Sequence, residues 1–338
     1  MRYYITGHTG FKGAWLTQIL VGQGHSVSGQ SLDPQIGSLF ATANLSELID
    51  HDNRIDIRDA NATRAALIAA QPDVVIHLAA QPLVRVSYEN PQETFSTNVM
   101  GTMNVLDAIS HTDSVRASLI ITTDKVYRNV NQTASYREDD PLGGDDPYSS
   151  SKAMADILTQ SWVKSFDTVP TAIARAGNVI GGGDVSRDRL IPDLIAGFRS
   201  NNPALIRYPN AVRPWQHVLD CLNGYHLLVT ELLSGKGFGA WNFGPPDTSS
   251  VSVADMANSA AKLWGQGAAW QSNEIEQPHE AAFLTLNSEK SRRELNWRDR
   301  LTVAEALEWT VQWEKTFDRG TPARQACSHQ IEQFFALS

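Results

Sequence analysis

Cysteine is nearly absent: the 338-residue chain has two, Cys221 and Cys327, far apart in sequence. That excludes a disulfide framework and the close Cys/His spacing of a metal site, so no metal is expected. Positive charge is also scarce, with 28 Lys and Arg against 37 Asp and Glu and a formal charge of −9. A nucleic-acid partner, which needs a concentrated basic face, is not expected. No apolar run reaches the ~18 residues of a membrane span, so no membrane partner is expected. The chain enters an apolar strand almost at once, leaving no room for a charged-plus-apolar leader; a reducing cytoplasm is the expected location. Repeats, biased tracts and flexible linkers are missing too. What remains is an ordinary globular composition, 42% hydrophobic and 19% charged. At this length it suits one large α/β unit with a smaller lobe.

The first half alternates short β-rich runs with helical patterns, which predicts a doubly wound parallel sheet of Rossmann type. Strands are expected at Arg2–Thr6, Ser26–Ser31, Arg54–Ile57, Asp73–Leu78, Ser118–Thr123 and Thr171–Ala176. Helices are expected at Phe11–Val21, Ala60–Ala70, Pro91–Ile109 and Pro147–Phe166. After Gly177 glycines and prolines punctuate shorter elements. Residues 1–177 therefore read as a dinucleotide-binding domain and 178–338 mostly as a substrate-binding α/β lobe. A helix at Val218–Leu233 and a strand at Trp241–Phe243 place 214–245 back on the main sheet. A last helix pattern, Ala323–Ala336, reads either as a docked tail or as an oligomer contact.

Gly7-His8-Thr9-Gly10-Phe11-Lys12-Gly13 lies between the first strand and the first helix. Glycines there permit a tight turn and close backbone approach to a pyrophosphate resting on the helix N-terminus. The placement after a five-residue strand, more than the spacing, makes this a dinucleotide site. His8 and Lys12 are candidate phosphate donors. Asp33, 20 residues past Gly13, stands where an acid often binds the adenosine ribose, and no arginine follows the second strand, which favours NAD over NADP. Asp56 and Ile57 are expected to flank adenine, and Leu78-Ala79-Ala80-Gln81 to let the cofactor pass close to the backbone.

Tyr148 and Lys152, four apart, share a helix face. An ammonium beside the phenol would lower its pKa toward neutrality and make Tyr148 a general base. Thr123 closes the preceding strand at the carboxyl end of the sheet, where ligands of such sheets bind. Alcohol oxidation needs only those three. The inserted Asp124-Lys125 points to further proton transfers, which separate a dehydratase from a dehydrogenase.

These residues resemble the extended short-chain dehydrogenase/reductase family, and within it the nucleotide-sugar 4,6-dehydratases that act on CDP-glucose. The matching stretches include T-G-H-T-G-F-K-G (6–13), H-L-A-A-Q-P-L-V-R (77–85), T-D-K-V-Y (123–127), D-P-Y-S-S-S-K-A (146–153) and R-P-W-Q-H-V (213–218). The resemblance implies NAD as cofactor and internal redox. Tyr148 would take the 4-hydroxyl proton as hydride leaves C4, with Thr123 on the 4-oxygen. Lys125, or a group it works with, would remove the C5 proton, Asp124 would protonate the departing 6-hydroxyl, and hydride would return to C6. It adds Phe11, Asn98, Thr122 and Ala176, with Tyr148 and Lys152, to the cofactor contacts, Asn98 helping to place Lys152. It assigns the substrate to Arg175, Asn178, Arg189, Leu190, Arg207, Arg213 and His279. It also implies a homodimer through the helices at 91–109 and 147–166. Departures from the family pattern are Thr123 in place of serine, Val185 in place of tryptophan, and a shortened Tyr127–Tyr136 segment.

Other readings within the enzyme class are a dTDP- or GDP-sugar dehydratase and a nucleotide-sugar 4-epimerase. An epimerase needs no acid–base pair for water loss, which Asp124-Lys125 argues against. A non-catalytic dinucleotide sensor is opposed by the retention of both Tyr148 and Lys152.

Overall fold

The structure is a computed structural model that describes all residues except 131, 133, 247–250, 266, 273–283 and 338. Its strands are β1 (Arg2–Thr6), β2 (Ser26–Ser31), β3 (His51–Arg54), β4 (Val74–His77), β5 (Ala117–Ile121), β6 (Thr171–Ala176), β7 (Asn178–Ile180), β8 (Ala204–Ile206), β9 (Val212–Arg213), β10 (Trp215–His217), β11 (Gly239–Phe243), β12 (Val251–Ser252) and β13 (Trp270–Ser272). Seven of them form a parallel sheet in the order β11-β6-β5-β4-β1-β2-β3. The chain winds outward from β1 to β3, then returns to β4 and winds the other way. The reversal leaves a crevice between β1 and β4 at their carboxyl ends, as in a Rossmann-type sheet.

Both faces of the sheet's centre are covered, so β4 and β5 are buried along their whole length, while the edge strand β3, His-Asp-Asn-Arg, is polar. Tyr3, Ile5, Val74 and Ile76 face the helices Phe11–Gly22 and Val218–Leu233. Tyr4 and Val75 face Ala60–Ala70 and Thr102–Ser110. Each large side chain buried this way contributes roughly 1.5–3 kcal/mol. A second core joins the helices Leu190–Arg199, Val253–Trp264 and Val303–Asp318 through Leu194, Ile195, Phe198, Met256, Leu307 and Val311. Three two-stranded pairs, β7 with β10, β8 with β13 and β9 with β12, complete the lobe side.

Two elements differ from expectation. The third strand ends at Arg54, so Asp56 and Ile57 lie beyond it. Asp56 accepts from the Arg58 amide at 2.9 Å, which turns the chain, and Asn104 donates to the Ile57 carbonyl at 2.9 Å. The helix expected over Pro91–Ile109 is interrupted: Pro91–Phe95 and Thr102–Ser110 flank a π-helical segment, Ser96–Gly101, that carries Asn98. Such π turns cluster at functional sites.

The C-terminal helix Ala323–Ala336 is a docked tail. Trp313 Nε1 donates to Cys327 Sγ at 3.3 Å, and Arg324 donates to the Ala43 and Asn44 carbonyls. Among the described residues, no helix is long and apolar enough to cross a membrane, and no cluster of three His, Cys, Asp or Glu is set to hold a metal.

Candidate active site

The glycine turn is fixed by sterics. Gly7 has φ +77°, and a Cβ there would lie 2.7 Å from the Ala79 amide nitrogen. A Cβ on Gly13 would lie 2.3 Å from the Gly7 carbonyl oxygen. Any side chain at either position would close the gap between β1, β4 and the first helix, which is the cradle a pyrophosphate needs. The His8 side chain turns away from this cradle. Its ring is buried below the turn with Nε2 2.7 Å from Asp52 Oδ1, and burial holds its pKa below the ordinary value. Lys12 points into the cleft, with Nζ 3.2 Å from the Tyr225 hydroxyl.

Across the crevice, Leu78 and Ala79 bond back to Thr6 of β1. Asn98 clamps the next loop: Oδ1 accepts from the Gln81 amide at 2.8 Å, and Nδ2 donates to the Gln81 carbonyl and to Ser151 Oγ. Asn98 thus reaches the helix of Lys152 through the neighbouring Ser151. The Gln81 side chain is spent on Leu83 of its own loop and on Thr94 of the helix Pro91–Phe95. Asp33 is exposed, with its carboxylate 3.7 Å from Arg54 Nε. Asp56 pairs with Arg58, whose hydrogen bond holds the carboxyl below its usual range.

The candidate catalytic corner sits at the carboxyl end of β5. Thr122 hydroxyl donates to Asp156 at 3.0 Å, and Thr123 hydroxyl donates to Asp124 Oδ1 at 2.9 Å. Asp124-Lys125-Val126 form a single 3-10 turn capped by Thr123. Asp124 is 3% exposed; burial raises its pKa, while Lys125, the Thr123 bond and Arg213 oppose the rise. Opposite, Asp146 caps the helix Pro147–Ser165, so Tyr148 stands in its first turn, and the Tyr148 amide donates to Ser87 Oγ at 3.1 Å. Tyr148 is hydrogen-bonded to Thr123, yet burial pushes its phenol up to about 12, and Asp124 adds to the rise. The expected drop toward neutrality is therefore not found. Lys152 is buried with Nζ donating to the Ile121 carbonyl at 2.8 Å, and burial lowers it to about 8, Asp156 partly offsetting this.

Arg175 is a correction. Assigned by resemblance to the substrate, it is fully buried behind the corner. Nε and Nη2 each donate to Asp156 at 2.8 Å, and Nη1 donates to the Tyr127 hydroxyl and the Glu138 carbonyl. It braces Asp156, and so the floor beneath Thr122 and Lys152. Asp156 follows Lys152 by four residues, as Lys152 follows Tyr148. That repeated spacing is the signal that would have found it.

A cleft of about 290 Å³ opens above the corner. Lys12, Thr122, Thr123, Asp124, Lys125, Tyr148, Ala176 and Asn178 line its inner part, and Arg189, Leu190, Arg207 and Arg213 its lobe side. Arg189 Nη1 lies 3.6 Å from Asp184 Oδ2. Buried Arg213 donates to the Val212 carbonyl at 3.0 Å. His279 lies outside the described residues. Arg85, Asp188 and Asp193, which the sequence did not single out, also line this cleft.

Comparison with known proteins places this geometry among sugar-nucleotide enzymes. The chain is 40% identical to a CDP-glucose 4,6-dehydratase of Salmonella typhimurium, over 100% of its own length and 97% of the relative's. It is 26% identical to a dTDP-glucose 4,6-dehydratase of Haemophilus influenzae, covering 93% of this chain and 97% of that one. The fold matches the dTDP-glucose 4,6-dehydratase DesIV of Streptomyces venezuelae, solved with NAD and TYD bound, with a TM-score of 0.82, 23% identity and coverage of 95% and 98%. It also matches a UDP-glucuronic acid 4-epimerase of Bacillus cereus, with a TM-score of 0.81, 23% identity and coverage of 94% and 100%. The family model described as GDP-mannose 4,6 dehydratase matches residues 4–310, and the chain belongs to that family.

Proposed function

We propose that this chain is an NAD-dependent CDP-glucose 4,6-dehydratase, converting CDP-D-glucose to CDP-4-dehydro-6-deoxy-D-glucose and water. The observation that carries this reading is the buried Asp124 and adjacent Lys125, held in one turn beside Thr123 and facing the same cleft as Tyr148. Oxidation at C4 alone has no use for that pair. The choice of CDP rests on the 40% identical relative matched end to end.

The glycine cradle fits a dinucleotide, since Gly7 and Gly13 are the two positions where a side chain would fill it. Gly10, Phe11 and Lys12 line the same turn, Leu78–Gln81 and Asn98 the facing loop, and Thr122, Tyr148, Lys152 and Ala176 the inner end. When bound, NAD supplies a hydride acceptor for C4, the donor that returns the hydride to C6, and a positive ring charge that favours tyrosinate. Tyr148 takes the proton of the 4-hydroxyl while Thr123 hydrogen-bonds the 4-oxygen. Lys152, held on the Ile121 carbonyl, keeps a positive charge one helical turn from the phenol. The 4-ketone acidifies C5–H, and Lys125 removes that proton and returns it to C5 when C6 gains its hydride. Asp124, whose raised pKa favours the protonated form, gives its proton to the 6-hydroxyl as it leaves. Asn178, Arg189, Leu190, Arg207 and Arg213 hold the nucleotide diphosphate from the lobe, which serves as the substrate-binding domain.

The subunits pair through the helices carrying Met100, Met154 and Ile157, apolar side chains that are half exposed beside a hollow lined by Phe95 and Val99. A monomer in sedimentation at working concentrations would overturn that pairing.

To test the chemistry, Asp124→Asn and Lys125→Met proteins are incubated with CDP-glucose and NAD. Product lighter by one water and no net NADH are expected from the parent, and C4 oxidation without water loss from the variants. Normal turnover in both variants would falsify the assignment.

A further inference from the structure

One carboxylate of the cleft is bracketed by arginines from both walls. Asp188 lies just before the helix Leu190–Arg199 in a left-handed conformation, φ 62°. Its Oδ1 accepts from Arg207 Nη1 at 2.7 Å and from Arg85 Nη1 at 3.0 Å, and its carbonyl accepts from Arg207 Nη2 at 2.8 Å. Arg85 sits on the helix Val84–Glu89, which follows β4 on the sheet side; Arg207 follows β8 in the lobe. Such convergence is how proteins hold a phosphate. The Asp188 ion pairs are a fifth to a half exposed, with side chains 33%, 47% and 22% accessible for Asp188, Arg85 and Arg207, so each contributes little and opens easily. A diphosphate offers the same two forks twice the charge and several acceptor oxygens. The strained backbone of Asp188 is held by bonds that such an anion would take over.

We infer that Arg85 and Arg207 form a cross-cleft clamp for the substrate diphosphate, and that Asp188 holds its place until the diphosphate displaces it. The clamp rests on the function proposed above and adds Arg85, which that function leaves without a role. It makes substrate binding tie the two walls of the cleft together over the catalytic corner.

The test is calorimetric titration of the NAD-loaded protein with CDP and with cytidine, for the parent, Arg85→Gln and Asp188→Asn. Losing one charged fork in Arg85→Gln weakens CDP about tenfold and leaves cytidine unchanged. Asparagine tolerates the left-handed backbone, so Asp188→Asn keeps the loop and tightens CDP about threefold by freeing both arginines. Equal effects of Arg85→Gln on CDP and cytidine, or none, overturn the clamp. An Asp188→Asn protein that binds CDP no tighter than the parent overturns the placeholder. A parent that binds no CDP at all removes the proposed function instead.

Discussion

The catalytic corner and the rim of the cleft are built from the same kinds of residue and behave oppositely. At the corner, Thr123, Asp124 and Lys152 are 8%, 3% and 4% exposed, and each is bonded at or just past the end of β5. At the rim, Arg189 and Arg207 keep 37% and 22% of their side-chain surface and pair with carboxylates on loops. Burial at the corner makes every unpaired group costly, so geometry is fixed before substrate arrives. Solvent at the rim makes ion pairs cheap to exchange, so charges can move from a carboxylate to a ligand. Chemistry and recognition are thereby separated in space, and substitutions in the two regions should fall on different kinetic parameters.

The largest effect should come from the corner. Tyr148→Phe removes the proton acceptor and is expected to lower kcat by about 10²–10⁴, the usual worth of a positioned general base. Calorimetry should show CDP binding close to the parent's. A comparable loss in CDP affinity would break the division of labour. Next is the support behind the corner. Arg175→Met leaves Asp156 buried and unpaired, which costs about 3–5 kcal/mol. Thermal unfolding should show it as a fall in Tm with KM little changed in the folded fraction. A raised KM at unchanged Tm would return Arg175 to the substrate.

That correction shows what the sequence could carry. The corner was legible because each of its residues lies within a turn of the strand end or helix start that positions it, and those boundaries are marked by Pro147 and by the apolar run before Thr122. Helix Ala60–Ala70 and strand Thr171–Ala176 were legible for the same reason. Arg175, given to the substrate by resemblance, is spent on Asp156, a partner from another element that the local sequence does not mark. His8 is alike: its place in the glycine motif suggests phosphate, and its side chain is taken by Asp52 of β3. The π segment at Asn98 left no mark, since one added residue per turn barely disturbs the apolar period. Arg85 and Asp188 are far apart in sequence and meet only when the cleft is assembled.

The smallest and most discriminating effect is on pH. At the rim, burial raises Asp193 to about 6, with Arg207 opposing and Asp188 and Asp184 adding to the rise. At the corner, Lys152 is lowered to about 8. Below pH 6 Asp193 is neutral, and the diphosphate, whose two charges do not titrate in this range, has only Asp188 to displace from Arg207. As pH rises through 6 the new carboxylate competes for Arg207, so KM should increase, on the order of threefold for a partly exposed charge. Asp193→Asn should flatten that step and keep KM at its low-pH value. The kcat profile should pass pH 6 undisturbed and fall only as pH rises through about 8, where Lys152 loses the proton that gives it its charge. If the step at pH 6 appears in kcat, or survives in Asp193→Asn, rim and corner are coupled, and the exposure difference between them does not set their roles.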